Sequence, residues 1–352
     1  MSFPSHIHRS SLLGCAVVAL ALACAAPPAL AASPQADDAL AAPAKAATAD
    51  EPTTEAMVFR AYPEADGYSR IERDVGPSHR RVIEHRLPFK VHFNELGQHS
   101  LMVAFRSRRP VGLLYQRTEE SDWGLVAIAW HVTLDLRIAG FEVLRGLGRD
   151  AKEVPESTFA DQLAGATYDQ VVARLAVLEE AVRRAPVSPR QAFTRTVLRS
   201  AAKTLAVTTA VWDREVLKLR DQAEGFDLFP AAARFVRRTT RLELDDDAGS
   251  RTFDVKLLYA YDFGNTLLGY VMWSTPRGDE GGCGLRWVVD RDRRVIVVRP
   301  DAAVRDAAHL EDWSRLSGRP LAAPGDVEPS LAGLAQGLGS LAIRLERRGR
   351  TQ

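Results

Sequence analysis

Two stretches of this chain repeat the same order of landmarks, and such a repeat restricts the chain to an architecture that can be built twice. Residues 62–73 read YPEADGYSRIER and residues 229–240 read FPAAARFVRRTT, setting Pro63 opposite Pro230. Next, SLMVAFRSRRPVGLLYQRT (100–118) lies opposite LLYAYDFGNTLLGYVMWST (257–275), where Gly112 matches Gly269 and Thr118 matches Thr275 at an offset of 157. Gly124-Leu125 then faces Gly284-Leu285. Finally, SPRQAFTRTVLRSAAKTL (188–205) faces EPSLAGLAQGLGSLAIRL (328–345), with Pro189, Leu198, Ser200 and Leu205 matching Pro329, Leu338, Ser340 and Leu345 at an offset of 140. The expected organisation is therefore two related modules, residues 56–222 and 223–352.

Within the first copy, LMVAF, VGLLYQ, GLVAIAWHV and IAGFEVL are rich in β-branched and aromatic residues and separated by turn formers, a pattern that suits an antiparallel meander. In Leu125–Trp130, Val126, Ile128 and Trp130 share one face and Leu125, Ala127 and Ala129 the other, so both faces are expected to be covered. Pro155 through Ala181 and Ser188 through Leu219 read as helices, the second opened by a Ser-Pro cap. Phe193, Val197, Ala201, Leu205, Thr208 and Trp212 form a stripe at helical spacing and read as packing. The fold class expected is α+β, each module a twisted antiparallel sheet packed with helices.

Composition narrows the function. The 46 basic residues against 45 acidic ones leave a net charge of +1, which gives no electrostatic footprint for nucleic acid. Leu12–Ala26 is fifteen residues without a charge, preceded by Arg9 and followed by Ala29-Leu30-Ala31. That is the pattern of a cleavable signal peptide over residues 1–31, too short for a membrane span, and it implies a periplasmic protein with no transmembrane segment in its mature chain. A lipoprotein signal using Cys24 is the alternative, although Ala21-Leu22-Ala23 fits a lipobox poorly. Residues 32–55 hold little to bury and read as a disordered linker. With Cys15 and Cys24 removed, Cys283 is alone in a Gly-rich turn, and no internal disulfide forms.

The ordered series resembles a known family, the periplasmic FMN-binding domains of the Rnf complex and the sodium-pumping NADH:quinone oxidoreductase. Tyr62-Pro63-Glu64-Ala65 is similar to that family's opening Phe-Pro-x-Ala, and Asp135–Leu144 (DLRIAGFEVL) to its dGkI-xGVxVL strand. Arg145-Gly146-Leu147-Gly148 stands where the family has a Glu-Thr-Pro-Gly-Leu-Gly loop, and Phe159–Gly165 (FADQLAG) is close to its Phe-x-x-Gln-Phe-x-Gly motif. The resemblance covers most of residues 56–205 and, faintly, 225–345. It implies a flavin held by Gly146, Leu147, Gly148, Gly165 and Thr167, with an electron-transfer or redox-accessory role beside an envelope or membrane redox partner.

In that family the flavin phosphate is esterified to the threonine of Asp-x-x-Ser-Gly-Ala-Thr, a glycine-tight loop that brings a hydroxyl and backbone amides to a phosphate. Asp161 and Thr167 have that spacing, with Ala164 in place of the serine. Read in order, however, the same letters are already used by the Phe-x-x-Gln motif, matched in the second copy by Trp313–Gly318. The attachment slot then falls on SPRQAFT, where Gln191 replaces the threonine and offers no hydroxyl. Noncovalent FMN, with Arg145 or Arg149 near its phosphate, is therefore the expected mode over a covalent bond to Thr167. The competing reading, from a different class, is a cofactor-free envelope protein that keeps the fold for binding or scaffolding.

Other constellations carry less. His79, His85, His92 and His99 lack metal-ligand spacing and read as solvated strand-edge residues. Asp245-Asp246-Asp247 reads as a hairpin turn rather than a calcium loop. The sequence has no Gly-x-Ser-x-Gly, Walker or dinucleotide fingerprint, hence no catalytic constellation, and the six tryptophans read as packing.

Overall fold

The computed structural model describes residues 53–91, 96–121, 124–146, 158–184, 186–246, 249–277, 284–300, 314–325, 327 and 329–350. They form an α+β fold with two five-stranded antiparallel sheets. Strands β1 (Gly67–Val75), β2 (Gly97–Arg106), β3 (Arg109–Ser121), β4 (Gly124–Val132) and β5 (Ile138–Arg145) build the first sheet in the order β1-β2-β3-β4-β5. Strands β6 (Arg234–Asp246), β7 (Gly249–Tyr261), β8 (Leu267–Pro276), β9 (Leu285–Asp290) and β10 (Val295–Pro300) build the second in the order β10-β9-β8-β7-β6. The helices are α1 (Thr54–Ala61), α2 (Pro77–Arg86), α3 (Thr158–Leu163), α4 (Tyr168–Arg184), α5 (Pro189–Leu228) and α6 (Pro329–Arg350).

The sequence repeat holds in space, with one correction. Leu113 pairs with Val132 and Tyr115 with Trp130, while Tyr270 pairs with Val289 and Met272 with Trp287, so the offset of 157 carries from the third strand into the fourth. Arg117 pairs with Ile128 and Ser274 with Leu285, so Leu285 corresponds to Ile128 and not to Leu125. The glycine-leucine match between the copies was thus a coincidence of letters. Ala104 opposite Gly112 matches Ala260 opposite Gly269; the β7–β8 hairpin holds one residue more. The next turn also recurs: Arg137 N–H bonds to Thr133 Oγ1 at 3.2 Å and Arg294 N–H to Asp290 Oδ1 at 2.8 Å.

An aromatic residue just past a helix anchors each copy. Tyr62 caps the end of α1 and Phe229 the end of α5, with closely similar backbone angles of φ −135°, ψ 81° and φ −130°, ψ 75°. Each ring lies against the glycine of the third strand. A Cβ at Gly112 would stand 2.1 Å from Tyr62 Cε1, and one at Gly269 would stand 2.6 Å from Phe229 Cε1. At Gly112 the ring alone leaves no room for a side chain; at Gly269 the Val289 carbonyl oxygen, 2.4 Å from such a Cβ, excludes one together with the ring.

Both faces of β4 are covered from Val126 to Trp130, while Leu125 is exposed. Val126, Ile128 and Trp130 join a core with Val197, Ala201, Leu205 and Trp212 of α5, while Ala129 joins Met57, Val58 and Tyr62 on the opposite face. The second sheet receives Leu334, Ala335 and Leu338 of α6 on one face and Phe226 of α5 on the other. The 40-residue α5 therefore closes the first copy and opens the second, doing for Leu258 and Val271 what α1 does for Met102 and Leu114. It departs from helical geometry at Trp212 (φ −119°, ψ 17°) and runs unbroken through the expected boundary between residues 222 and 223.

Three local expectations are corrected. The helix expected from Pro155 to Ala181 is two helices, because Gly165 adopts φ +75° and ends the first. Residues 77–86 carry His79 and His85 on a helix, not on strands. β1 was not legible as a strand: GYSRIERDV is exposed over most of its length and shows no alternation. Asp245 and Asp246, expected in a turn, end β6 and pair with Ser250 and Gly249 of β7, while Asp247 lies outside the described residues. Among the described residues no helix is long and apolar enough to cross a membrane. The expected signal peptide, Cys283, His92, Trp123 and Trp313 lie outside the described residues.

Candidate functional site

Gly165 follows the last turn of α3, and its left-handed backbone turns the chain onto the edge of β5. Gly165 N–H donates to Ile138 O at 2.7 Å, Ile138 N–H to Ala166 O at 3.0 Å, and Arg137 Nη1 to Gly165 O at 3.1 Å. The second copy repeats each bond: Gly318 N–H to Val295 O at 2.7 Å, Val295 N–H to Arg319 O at 2.8 Å, and Arg294 Nη1 to Gly318 O at 3.3 Å. Gly165 is thus the counterpart of Gly318 in the repeat.

Thr167 then begins α4. Its hydroxyl accepts Gln170 N–H at 3.4 Å, and its own N–H donates to Gln170 Oε1 at 3.0 Å, a reciprocal cap. Ser188 and Gln191 make the same exchange at the start of α5, at 3.2 and 2.9 Å. Both slots that the flavin reading assigns to phosphate attachment therefore serve as helix caps. Gly146 stands just beyond the far end of β5, separated from the Gly165 contact at Ile138 by about 26 Å of extended strand. Leu147, Gly148 and Arg149 lie outside the described residues.

A different constellation forms at the β2–β3 seam. The two strands pair only from Met102–Leu114 to Arg106–Arg109. Beyond that point, towards Gly97 and Ser121, β2 keeps β1 as its partner and β3 keeps β4, so the seam opens into a fork. The second sheet has no such opening: β7 and β8 pair from Phe253–Pro276 to Tyr261–Leu267.

The fork is floored by polar groups. His99 Nδ1 lies 2.5 Å from the Tyr115 hydroxyl, to which Arg117 Nη1 also donates at 3.2 Å. Arg117 Nε donates to Glu119 Oε1 at 3.0 Å, and Lys203 Nζ of α5 to Glu119 Oε2 at 2.6 Å. The Arg117 and Glu119 side chains are only 4% and 5% exposed, so this ion pair has left water almost completely. The Tyr115 ring meets Trp212 edge-on at 5.4 Å, so the kinked turn of α5 props the network from beneath. By the strand registers, Val255, Met272, Ser274 and Pro276 occupy the corresponding places of the second copy. Beside the network lies a cavity of about 300 Å³, with Arg70, Ser100, Gln116 and Thr118 in its walls.

Sequence reading missed this site. His99, expected to be a solvated edge residue, is partly buried and bonded to Tyr115. The available signal was YQRTEES (115–121), which places an arginine and a glutamate two apart on one strand face where the other copy has MWSTP (272–276). Among the described residues no group of three or more histidines, cysteines or carboxylates is arranged to hold a metal. No protein-family model, curated protein or solved structure matches this chain.

Proposed function

We propose that this chain is an exported, cofactor-free binding protein of the cell envelope whose site is the polar fork of its first sheet, rather than a flavin electron carrier. The observation that carries the reading is the buried His99–Tyr115–Arg117–Glu119–Lys203 network, present in one copy of the repeat and replaced by Val255, Met272, Ser274 and Pro276 in the other. Burying an ion pair costs several kcal/mol of desolvation per ion before the pair's own attraction is counted, so well-packed apolar residues are commonly at least as stable. The second copy supports the same sheet without the network. Its presence at an opening of the first sheet therefore favours a role in binding. The use of Thr167, Ser188 and Gln191 as helix caps weighs in the same direction.

The test is production of the full chain in a host with a flavin transferase, followed by intact mass, visible absorption and titration with free FMN. The expected product is colourless, carries no added flavin mass and leaves FMN fluorescence unchanged. A mass gain of one FMN, or saturable FMN binding, would restore the electron-transfer reading.

A further inference from the structure

A strand at the rim of a sheet offers backbone N–H and C=O groups to any extended chain that can lie beside it, and β1, β5, β6 and β10 are the rims of these two sheets. Three of them are obstructed. The outer side of β5 takes up the chain at Gly165 and Ala166 through Ile138, and that of β10 takes up Gly318 and Arg319 through Val295. The ladders of both are also broken by register shifts. β6 lies under α6, whose Gly337 packs against Leu242 and Leu244, so two copies joined there would bring two helices onto one axis.

β1 is different. Among the described residues it pairs with β2 alone, from Gly67 to Val75 without a register shift, and it contains no proline. Tyr68, Ser69, Arg70, Glu72, Arg73 and Asp74 are exposed, so neither face is walled off along the middle of the strand.

The order of charges on β1 selects the occupant. We infer that β1 pairs antiparallel with β1 of a second copy of this chain, about a two-fold axis through Ile71, and joins their first sheets into one. An axis normal to the sheet keeps facing side chains on the same face, which requires the pairing to be centred on a residue. Centred on Arg70, Glu72, Arg73 or Asp74, it sets a like charge against itself, which destabilises a ladder. Centred on Ser69, Tyr68 or a terminal residue of the strand, it spans residues 67–71 at most.

Centred on Ile71, the pairing spans the whole strand and opposes no like charges. Arg70 then faces Glu72 of the second copy, Ser69 faces its Arg73, and Tyr68 faces its Asp74. Arg70 already meets Glu72 of its own strand at 3.0 Å. The second copy completes a ring of four charges alternating in sign around the axis, and such a network contributes where a lone surface pair contributes little. Asp74 has no ion-pair partner among the described residues and gains the Tyr68 phenol as a donor. The Tyr68 ring is already steadied edge-on against Phe59 at 6.4 Å. A contact made of one strand from each copy is small, so the dimer is expected to be reversible, with a Kd on the order of micromolar.

The experiment is sedimentation velocity of the full chain over a roughly hundredfold range of concentration around that value. The native chain is expected to pass from monomer to dimer. Arg70→Glu and Glu72→Arg, at side chains 58% and 44% exposed, each set like charges across the axis. Each is expected to weaken the dimer by roughly tenfold or more and to leave Tm of the monomer unchanged. Mixed in equal amounts, the two variants oppose only unlike charges, and a dimer of one copy of each is expected to recover. A defect confined to one chain would not be cured by mixing. A native chain that stays monomeric, a dimer indifferent to both variants, or a mixture that does not associate would each overturn the inference. None of these outcomes bears on the flavin measurements.

Discussion

At the scale of single residues, the strongest constraint is the pairing of an aromatic ring with a glycine. The Tyr62 hydroxyl reaches past Gly112 to the β3–β4 ladder, lying 2.8 Å from Leu113 O and 2.9 Å from Val132 O and accepting Leu113 N–H at 3.1 Å. Burial raises its pKa well above the ordinary tyrosine value, opposed by backbone hydrogen bonding at Leu113 and Val132, so the phenol stays protonated. Gly112→Ala places a methyl 2.1 Å from that ring and is expected to cost about 2 kcal/mol, read as a lower urea midpoint. Adding Tyr62→Ala to it should cost less than the sum of the two single changes, since each change removes part of the same clash.

His131 is the second such residue. Burial lowers its pKa below 6.5, Glu142 raises it and Arg60 lowers it, and the Tyr62 ring lies 6.1 Å away. Because the folded pKa is depressed, the unfolded chain binds more protons, and the stability that the neutral ring supplies is present above pH 6.5 and lost as pH falls through the interval below it. Urea midpoints measured on either side of pH 6.5 should show this loss in the native chain and a flatter profile in His131→Phe.

At the scale of elements, alternation and period made the central strands and the long helix visible in the sequence. The apolar stripe Phe193, Val197, Ala201, Leu205, Thr208 and Trp212 lies wholly in the core. Elements whose reason is tertiary were not visible. β1 is held by its ladder to β2 and is exposed over most of its length, so no hydrophobic period marks it. The break at Gly165 is set by hydrogen bonds to Ile138, 27 positions away in the chain, which no local pattern encodes. DQLAGAT reads as a helix entrance in the sequence, and the structure makes Thr167 the cap of α4. Thr167→Ala should lower stability by about 1 kcal/mol through fraying of α4, and hydrogen exchange should locate the loss in residues 168–171.

At the scale of the whole molecule, the two sheets are joined by more than a connector. The tip of the β2–β3 hairpin docks on the end of α5: Arg109 pairs with Asp227 at 2.7 and 2.8 Å, and Arg108 donates to Ala233 O at 3.1 Å while its guanidinium lies 4.5 Å from the Phe263 ring. The last turns of α5 supply Phe226, and the chain just beyond them Phe229, to the face formed by Leu258, Val271, Trp273 and Val288. A fragment of residues 234–352 is therefore expected to be aggregated and to lack near-ultraviolet circular dichroism. A fragment of residues 213–352, which keeps that cover, should be soluble and show it. Equal behaviour of the two would mean that α5 is not part of the second module.

The sequence by itself determined that this chain would contain two similar α+β modules, because spacing of apolar, glycine and proline residues is a local property that survives when identity has drifted. It also marked Gly112 and Gly269, Pro63 and Pro230, and the helix opened by Ser188, each legible from spacing alone. Only the tertiary structure decided that one helix serves both modules, that Gly165 answers to Gly318, and that β2 and β3 part company beside Tyr115 and Arg117. Those outcomes depend on which strand edge finds a partner and which charge leaves water, and both are fixed by residues far apart in the chain.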